Sequence, residues 1–153
     1  MIVKKTHAYR TTLHWSAAGG EGTVNYRSYK RDFTLQAPAK PPIEGSSDPA
    51  FRGDAGRYNP EELLVASLSS CHMLWYLHLC AVNGVVVTEY RDEASGEMQE
   101  NDDGAGQFAK VVLRPKVTLR EGSDEAKAAR LHHDAHAMCF IARSVNFPVE
   151  IEL

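Results

Sequence analysis

Apolar and polar residues along the chain follow two periods, and the longest apolar run lies in the middle. Residues 59–84 read NPEELLVASLSSCHMLWYLHLCAVNG. Asn59 suits an N-cap, Pro60 suits the first helical position, and Glu61 with Glu62 puts negative charge at the positive end of the helix dipole. Glu62, three positions after Asn59, can close a capping box with it. Asn83-Gly84 offers a left-handed stop. The pattern predicts a central helix over 59–83, about 24 residues and roughly 36 Å long.

Around that helix the period changes to two. Tyr9, Thr11, Leu13 and Trp15 alternate with Ala8, Arg10, Thr12 and His14, as in a half-buried strand. A glycine-rich turn at residues 18–22 and a second strand from Thr23 to about Lys30 are expected to complete an N-terminal hairpin. Residues 37–56 are rich in Pro, Gly and Ser and have no apolar period, so they read as a long loop. After the helix come a strand at Val85 to Tyr90, a polar acidic stretch, and a turn at Asp103-Gly104. A strand over Phe108 to Leu119 follows, in which Pro115 points to an edge or a bulge. Ser123 is expected to cap a second helix that runs to about Arg143. The alternating Val145, Phe147, Val149, Ile151 and Leu153 form a closing strand.

This order predicts an α+β fold in one domain, 1–153. Its parts are a hairpin at about 6–35, a loop at 36–58, the central helix, and strands with a second helix at 85–153. The central run is long enough for a membrane. Its Ser67, Ser69, Ser70, His72 and His78 would be costly to bury in lipid, however, and the mean hydropathy is −0.36, so a helix buried inside a protein is expected. One small sheet cannot cover it, which predicts a dimer that wraps two such helices together. Seventeen Lys and Arg against 20 Asp and Glu, scattered along the chain, argue against a nucleic-acid partner. No apolar leader stands at the N-terminus, and three cysteines, an odd number, fit free thiols in the cytoplasm better than a disulfide framework.

Candidate chemistry lies with the thiols. Cys71 sits mid-helix, and a buried free cysteine is most often a small hydrophobe. Cys80 falls nine residues on, roughly the opposite face, and reads as core. Cys139 ends a histidine-rich run in which His132, His136 and Cys139 share a face at i, i+4, i+7; that spacing could hold zinc, but no fourth ligand is evident. A thiolate that attacks a peroxide becomes a sulfenic acid, which a second cysteine can resolve. Cys71 and Cys139, on different helices, are the pair placed to do so.

The Asn59-Pro60-Glu61-Glu62-Leu63-Leu64 element, the Ser69-Ser70-Cys71-His72 that follows, and a second cysteine near a final Val-Glu-Ile strand resemble the osmotically inducible protein C and organic hydroperoxide resistance (OsmC/Ohr) family. The resemblance covers nearly the whole chain. It implies antiparallel sheets wrapped around a long central helix in an intertwined homodimer, with active sites at the subunit interface. It also implies thiol-dependent reduction of organic hydroperoxides, with Cys71 as the peroxidatic thiolate and Cys139 as the resolving cysteine. Glu61 matches the family carboxylate that orients an arginine toward the thiolate, and Arg52 is favoured over Arg57 for that arginine. Two positions depart from the family pattern: Cys139 is followed by Phe140 rather than proline, so its helix is expected to continue, and His72 stands where an aromatic is frequent. His72 is expected to be packed or paired away from the thiolate.

The reading is a cytoplasmic homodimeric peroxidase restored by an external dithiol, for which the family suggests a lipoyl-type carrier. It needs no metal or other cofactor and has no nucleic-acid or membrane partner. The alternatives are a non-enzymatic small-molecule-binding or stress-response protein on the same fold, and a metal-binding protein using His132, His136 and Cys139.

Overall fold

The computed structural model describes residues 4–153. The chain divides into two compact units, the first ending at Glu62 and the second spanning Leu63–Leu153.

In the first unit, β1 (Thr12–His14), β2 (Phe33–Gln36) and β3 (Ile43–Gly45) form an antiparallel sheet in that order. The expected hairpin partner is therefore wrong: Leu13 pairs with Leu35, and residues 23–30 form turns. The physical reason is side-chain capture of the backbone. The Trp15 indole N–H donates to the Lys30 carbonyl at 2.8 Å. The Arg31 guanidinium lies over the rings of Tyr26 and Tyr29 and donates to both their carbonyls. Backbone groups satisfied this way have no need of a strand partner.

The expected loop also carries structure, namely β3 and a 3-10 turn at Pro49–Phe51 capped by Asp48. Ser46, fully buried, ties it together by donating to Asp32 and accepting from the Asp54 amide, each at 3.1 Å. Gly53 is required here, because a Cβ would lie 1.5 Å from the Ser47 carbonyl oxygen.

Helix α1 (Pro60–Val82) starts as its sequence directs. Asn59 Oδ1 accepts from the Glu62 amide at 2.8 Å and Glu62 Oε2 accepts from the Asn59 amide at 3.2 Å, a closed capping box. It stops at Gly84, whose φ is +73°, with the Val85 amide bonded back to the Cys80 carbonyl.

The second unit holds two small sheets. β4 (Val87–Asp92) pairs antiparallel with β7 (Pro115–Leu119). β5 (Ser95–Glu100), β6 (Gly106–Leu113) and β8 (Val149–Ile151) form the other, antiparallel between β5 and β6 and parallel between β6 and β8. The single strand expected over 108–119 is thus two. The chain changes sheets at Arg114, whose amide donates to Asp92 Oδ1 at 2.6 Å and whose guanidinium reaches Glu152 at 2.9 Å.

Helix α2 (Glu125–Met138) is capped by Asp124, not Ser123, and ends five residues before the expected Arg143, with Cys139 as its extended C-cap. Ile141, Ala142 and Val145 are drawn instead against Leu68, Phe108, Val111 and Leu113, one of two hydrophobic clusters. The other joins Tyr76, Cys80 and Val85 to Ala128, Leu131 and Ala135 of α2. Burial along α1 recurs every four residues, at Leu68, His72, Tyr76 and Cys80. Leu68 belongs to one cluster, Tyr76 to the other, and His72 lies between them on that stripe.

Candidate active site

The side chains that could carry chemistry come from two helices. α1 supplies Cys71 and His72; α2 supplies His132 and, at its C-cap, Cys139. All three cysteines are free thiols, with Cys71 half-buried and Cys80 and Cys139 buried. Burial pushes the Cys139 thiol up to about 11. The Ala142 amide, donating to its Sγ at 3.4 Å, works against that shift, while the neighbouring Cys71 adds to it. The two cysteines named from sequence are therefore near neighbours, with Cys139 holding its proton at neutral pH. Because α2 ends at Met138, the expected continuation of the helix through Cys139 does not occur. Cys80 is core, as expected, and burial raises its thiol as well.

His72 is paired away from the thiols. Its Nε2 lies 3.0 Å from Nδ1 of His132, the rings are 9° from parallel, and the His132 ring stacks on Tyr76 at 3.8 Å between centroids. Burial lowers both imidazoles to about 4; the neighbouring His136 pushes His72 further down and Asp92 pulls it up. Asp92 accepts from Ser69 Oγ and from the Arg114 amide. His132 is thus engaged with His72, and among the described residues no three His, Cys, Asp or Glu side chains are grouped as a metal site needs. The His72–His132 pair was not visible in the sequence, where His132 aligned with His136 by helical spacing. The i, i+4 stripe through His72 and Tyr76 was the available signal.

In the first unit, Glu61 stands in the first turn of α1, and its Oε2 is enclosed without a hydrogen-bond partner. Arg52 has a left-handed backbone, φ +65°, and lines a cleft of about 340 Å³ with Arg27, Lys30, Arg31, Asp32 and Asp54. Arg57 is committed elsewhere, its Nε 3.5 Å from Asp32 and 3.9 Å from Asp54.

A family model described as OsmC-like protein matches residues 53–153. The chain belongs to the OsmC-like family. An OsmC-like protein of unknown function from Vibrio cholerae superposes on it with a TM-score of 0.87 at 32% identity, covering 96% of this chain and 99% of that one. An organic hydroperoxide resistance protein OsmC from Legionella pneumophila superposes with a TM-score of 0.71 at 16% identity, covering 98% and 97%. At that identity the likeness speaks for the fold alone. The uncharacterized protein YmaD of Bacillus subtilis is 26% identical over 98 residues, 62% of this chain and 65% of its own length. The α+β class and OsmC-like architecture expected from the sequence are those of the molecule.

Proposed function

We propose that the protein is a cytoplasmic, homodimeric thiol peroxidase acting on organic hydroperoxides. The Cys71 thiolate attacks the O–O bond; an S–O bond forms, the alkoxide leaves and takes up a proton as the alcohol, and Cys71 becomes a sulfenic acid. Cys139 then attacks the Cys71 sulfur. The disulfide forms, and the departing hydroxide leaves as water with the proton Cys139 gives up. An external dithiol, lipoyl-type by family analogy, reduces the disulfide and is itself oxidised.

The observation that carries this reading is the nearness of Cys71 to Cys139, with the half-buried Cys71 influencing a buried partner that keeps its proton. By resemblance to the family, Glu61 and Arg52 take the roles of the carboxylate and arginine that serve the thiolate: Glu61 has an oxygen lacking a donor, and Arg52 is in none of the ion pairs among the described residues. A guanidinium fixed by a carboxylate stays charged and can stabilise both thiolate and leaving alkoxide. Three unpaired thiols agree with a reducing compartment.

Stopped-flow oxidation by cumene hydroperoxide and by hydrogen peroxide, with products identified by intact mass, tests it. Wild type is expected to lose two thiols quickly, Cys139→Ser to stop at an oxidised Cys71, and Cys71→Ser not to react. Oxidation of wild type no faster than free cysteine sinks the peroxidase and leaves the non-enzymatic binding protein on the same fold.

A further inference from the structure

The buried faces of α1 and α2 meet as an antiparallel ladder. Tyr76 Oη donates to the Ala128 carbonyl at 3.0 Å. Four residues back along α1 and four on along α2, His72 meets His132 at 3.0 Å. Cys71 and Cys139 lie near one another beside that rung. His72 adjoins Cys71 in sequence, and His132 precedes Cys139 by seven positions, nearly two turns, which keeps both on one side of α2. Both imidazoles are almost fully buried. Two apolar side chains would fill such a rung at lower cost, and the peroxide chemistry above uses neither histidine.

We propose that the His72–His132 hydrogen bond is a positioning clasp for closure of the Cys71–Cys139 disulfide, fixing α1 against α2 beside the sulfurs while both imidazoles are neutral and releasing them when either is protonated. The proposal rests on the reading of these two cysteines as the reacting pair.

The hydrogen-bond chemistry supplies the switch. His72 Nδ1 is buried without a partner, and a proton placed there would be an orphaned donor. The bond therefore runs from His72 Nε2–H to the bare Nδ1 of His132. Protonating His132 removes that acceptor. Protonating His72 puts an unsatisfied N–H on Nδ1. Either event breaks or strains the rung.

The surroundings keep the pair neutral near pH 7. Burial is the largest influence on each, and His72 opposes a charge on His132. From α2, His136 opposes a charge on His72; from β4, Asp92 favours one, but its two oxygens are already engaged by Ser69 and the Arg114 amide. Tyr76 and Tyr90 offer hydroxyls that burial keeps protonated. Glu125 and His133 line the two clefts that His132 borders.

The test uses 5,5′-dithiobis(2-nitrobenzoate) on the reduced full chain. The Cys71 thiolate attacks the reagent's disulfide, expels one thionitrobenzoate and keeps the other as a mixed disulfide. The Cys139 thiolate, its proton given to solvent, attacks Cys71 Sγ, forms the protein disulfide and expels the second thionitrobenzoate. The first release reads access to Cys71 and the second reads closure.

At about pH 7.5, His132→Leu is expected to slow the second release about tenfold or more and to leave the first within about twofold, since a displacement near 1 Å is enough to cost such a factor. His72→Gln combined with His132→Asn keeps an uncharged donor at the ε position and an acceptor at the δ position. That double variant is expected to recover most of the closure rate, and as pH falls toward about 4, where the buried imidazoles take up protons, to lose less of it than wild type does. Unchanged closure in His132→Leu, or parallel pH profiles for wild type and the double variant, overturns the clasp. If His132→Leu does not fold, the two pH profiles decide alone. The reagent is not a peroxide, so the readings separate: normal clasp behaviour without peroxide oxidation sinks the peroxidase only, and fast peroxide oxidation with unaltered closure sinks the clasp only.

Discussion

Glu61 Oε2 is an enclosed carboxylate oxygen with nothing donating to it. Leaving such a group unmatched costs on the order of 1–3 kcal/mol, so its tolerance points to a donor that arrives with function. Arg57 is held by Asp32 and Asp54, whereas Arg52 is in none of the ion pairs among the described residues. Arg52 also sits at φ +65°, a backbone conformation that costs a non-glycine residue about 1–2 kcal/mol and that cap geometry imposes here. Arg52→Ala is therefore expected to lower the second-order rate with cumene hydroperoxide by about 10²-fold, the usual scale for removing one charge-stabilising group, and Glu61→Gln by about tenfold. Arg57→Ala should stay within about twofold, because removing it breaks only partly exposed ion pairs. Stopped-flow rates for the three variants check the assignment, and an Arg57→Ala defect larger than that of Arg52→Ala reverses it.

At the scale of elements, what could be read in advance depended on how local the cause was. Both ends of α1 were legible because Asn59, Glu62 and Gly84 terminate the helix with groups a few residues apart. Asn59→Ala opens that capping box and is expected to cost about 1 kcal/mol in urea unfolding, with the midpoint shifted and the slope unchanged. A loss under about 0.3 kcal/mol would mean that burial of the first turn, not the cap, defines the start of the helix. The end of α2 was not legible, since nothing in Cys139-Phe140-Ile141 breaks a helix; the chain turns there because Ile141 and Ala142 are claimed by a distant cluster. That same turn places Cys139 near Cys71, so the sequence offered the two cysteines and their helices but not the reason they come together. The pairing of β1 with β2 was hidden similarly, because the groups that occupy residues 23–30 are an indole and a guanidinium, which follow no strand period. His72 and His132 are 60 positions apart on helices whose contact no periodicity encodes.

The whole molecule should register its buried histidines and its uncovered helix face. With both imidazoles lowered from 6.5 to about 4, the unfolded chain binds protons between those limits that the folded chain refuses. Stability therefore rises with pH across that window and is lost as pH falls from about 6.5 toward 4, by a few kcal/mol in total, less than twice either single effect because the repulsion between the two is shared. Chemical denaturation at stepped pH should show this fall in wild type and a shallower one in the His72→Gln, His132→Asn variant. Association is the second register. α1 is apolar on nearly every side, long and apolar enough even to cross a membrane, yet a single chain buries it along one stripe and leaves Leu74 62% exposed. Val82, Met138 and Phe140 are exposed as well. Large apolar surface of this kind is normally covered by a partner, and a second copy carrying the same surface supplies a self-complementary one. Sedimentation velocity should find wild type as a dimer at micromolar concentration, and Leu74→Glu, which would bury a carboxylate at such an interface, should shift it to monomer with loss of thermal stability. A wild-type monomer would mean that the helix keeps its apolar flank for something other than itself, and a Leu74→Glu dimer of undiminished affinity would move the interface off this face of α1.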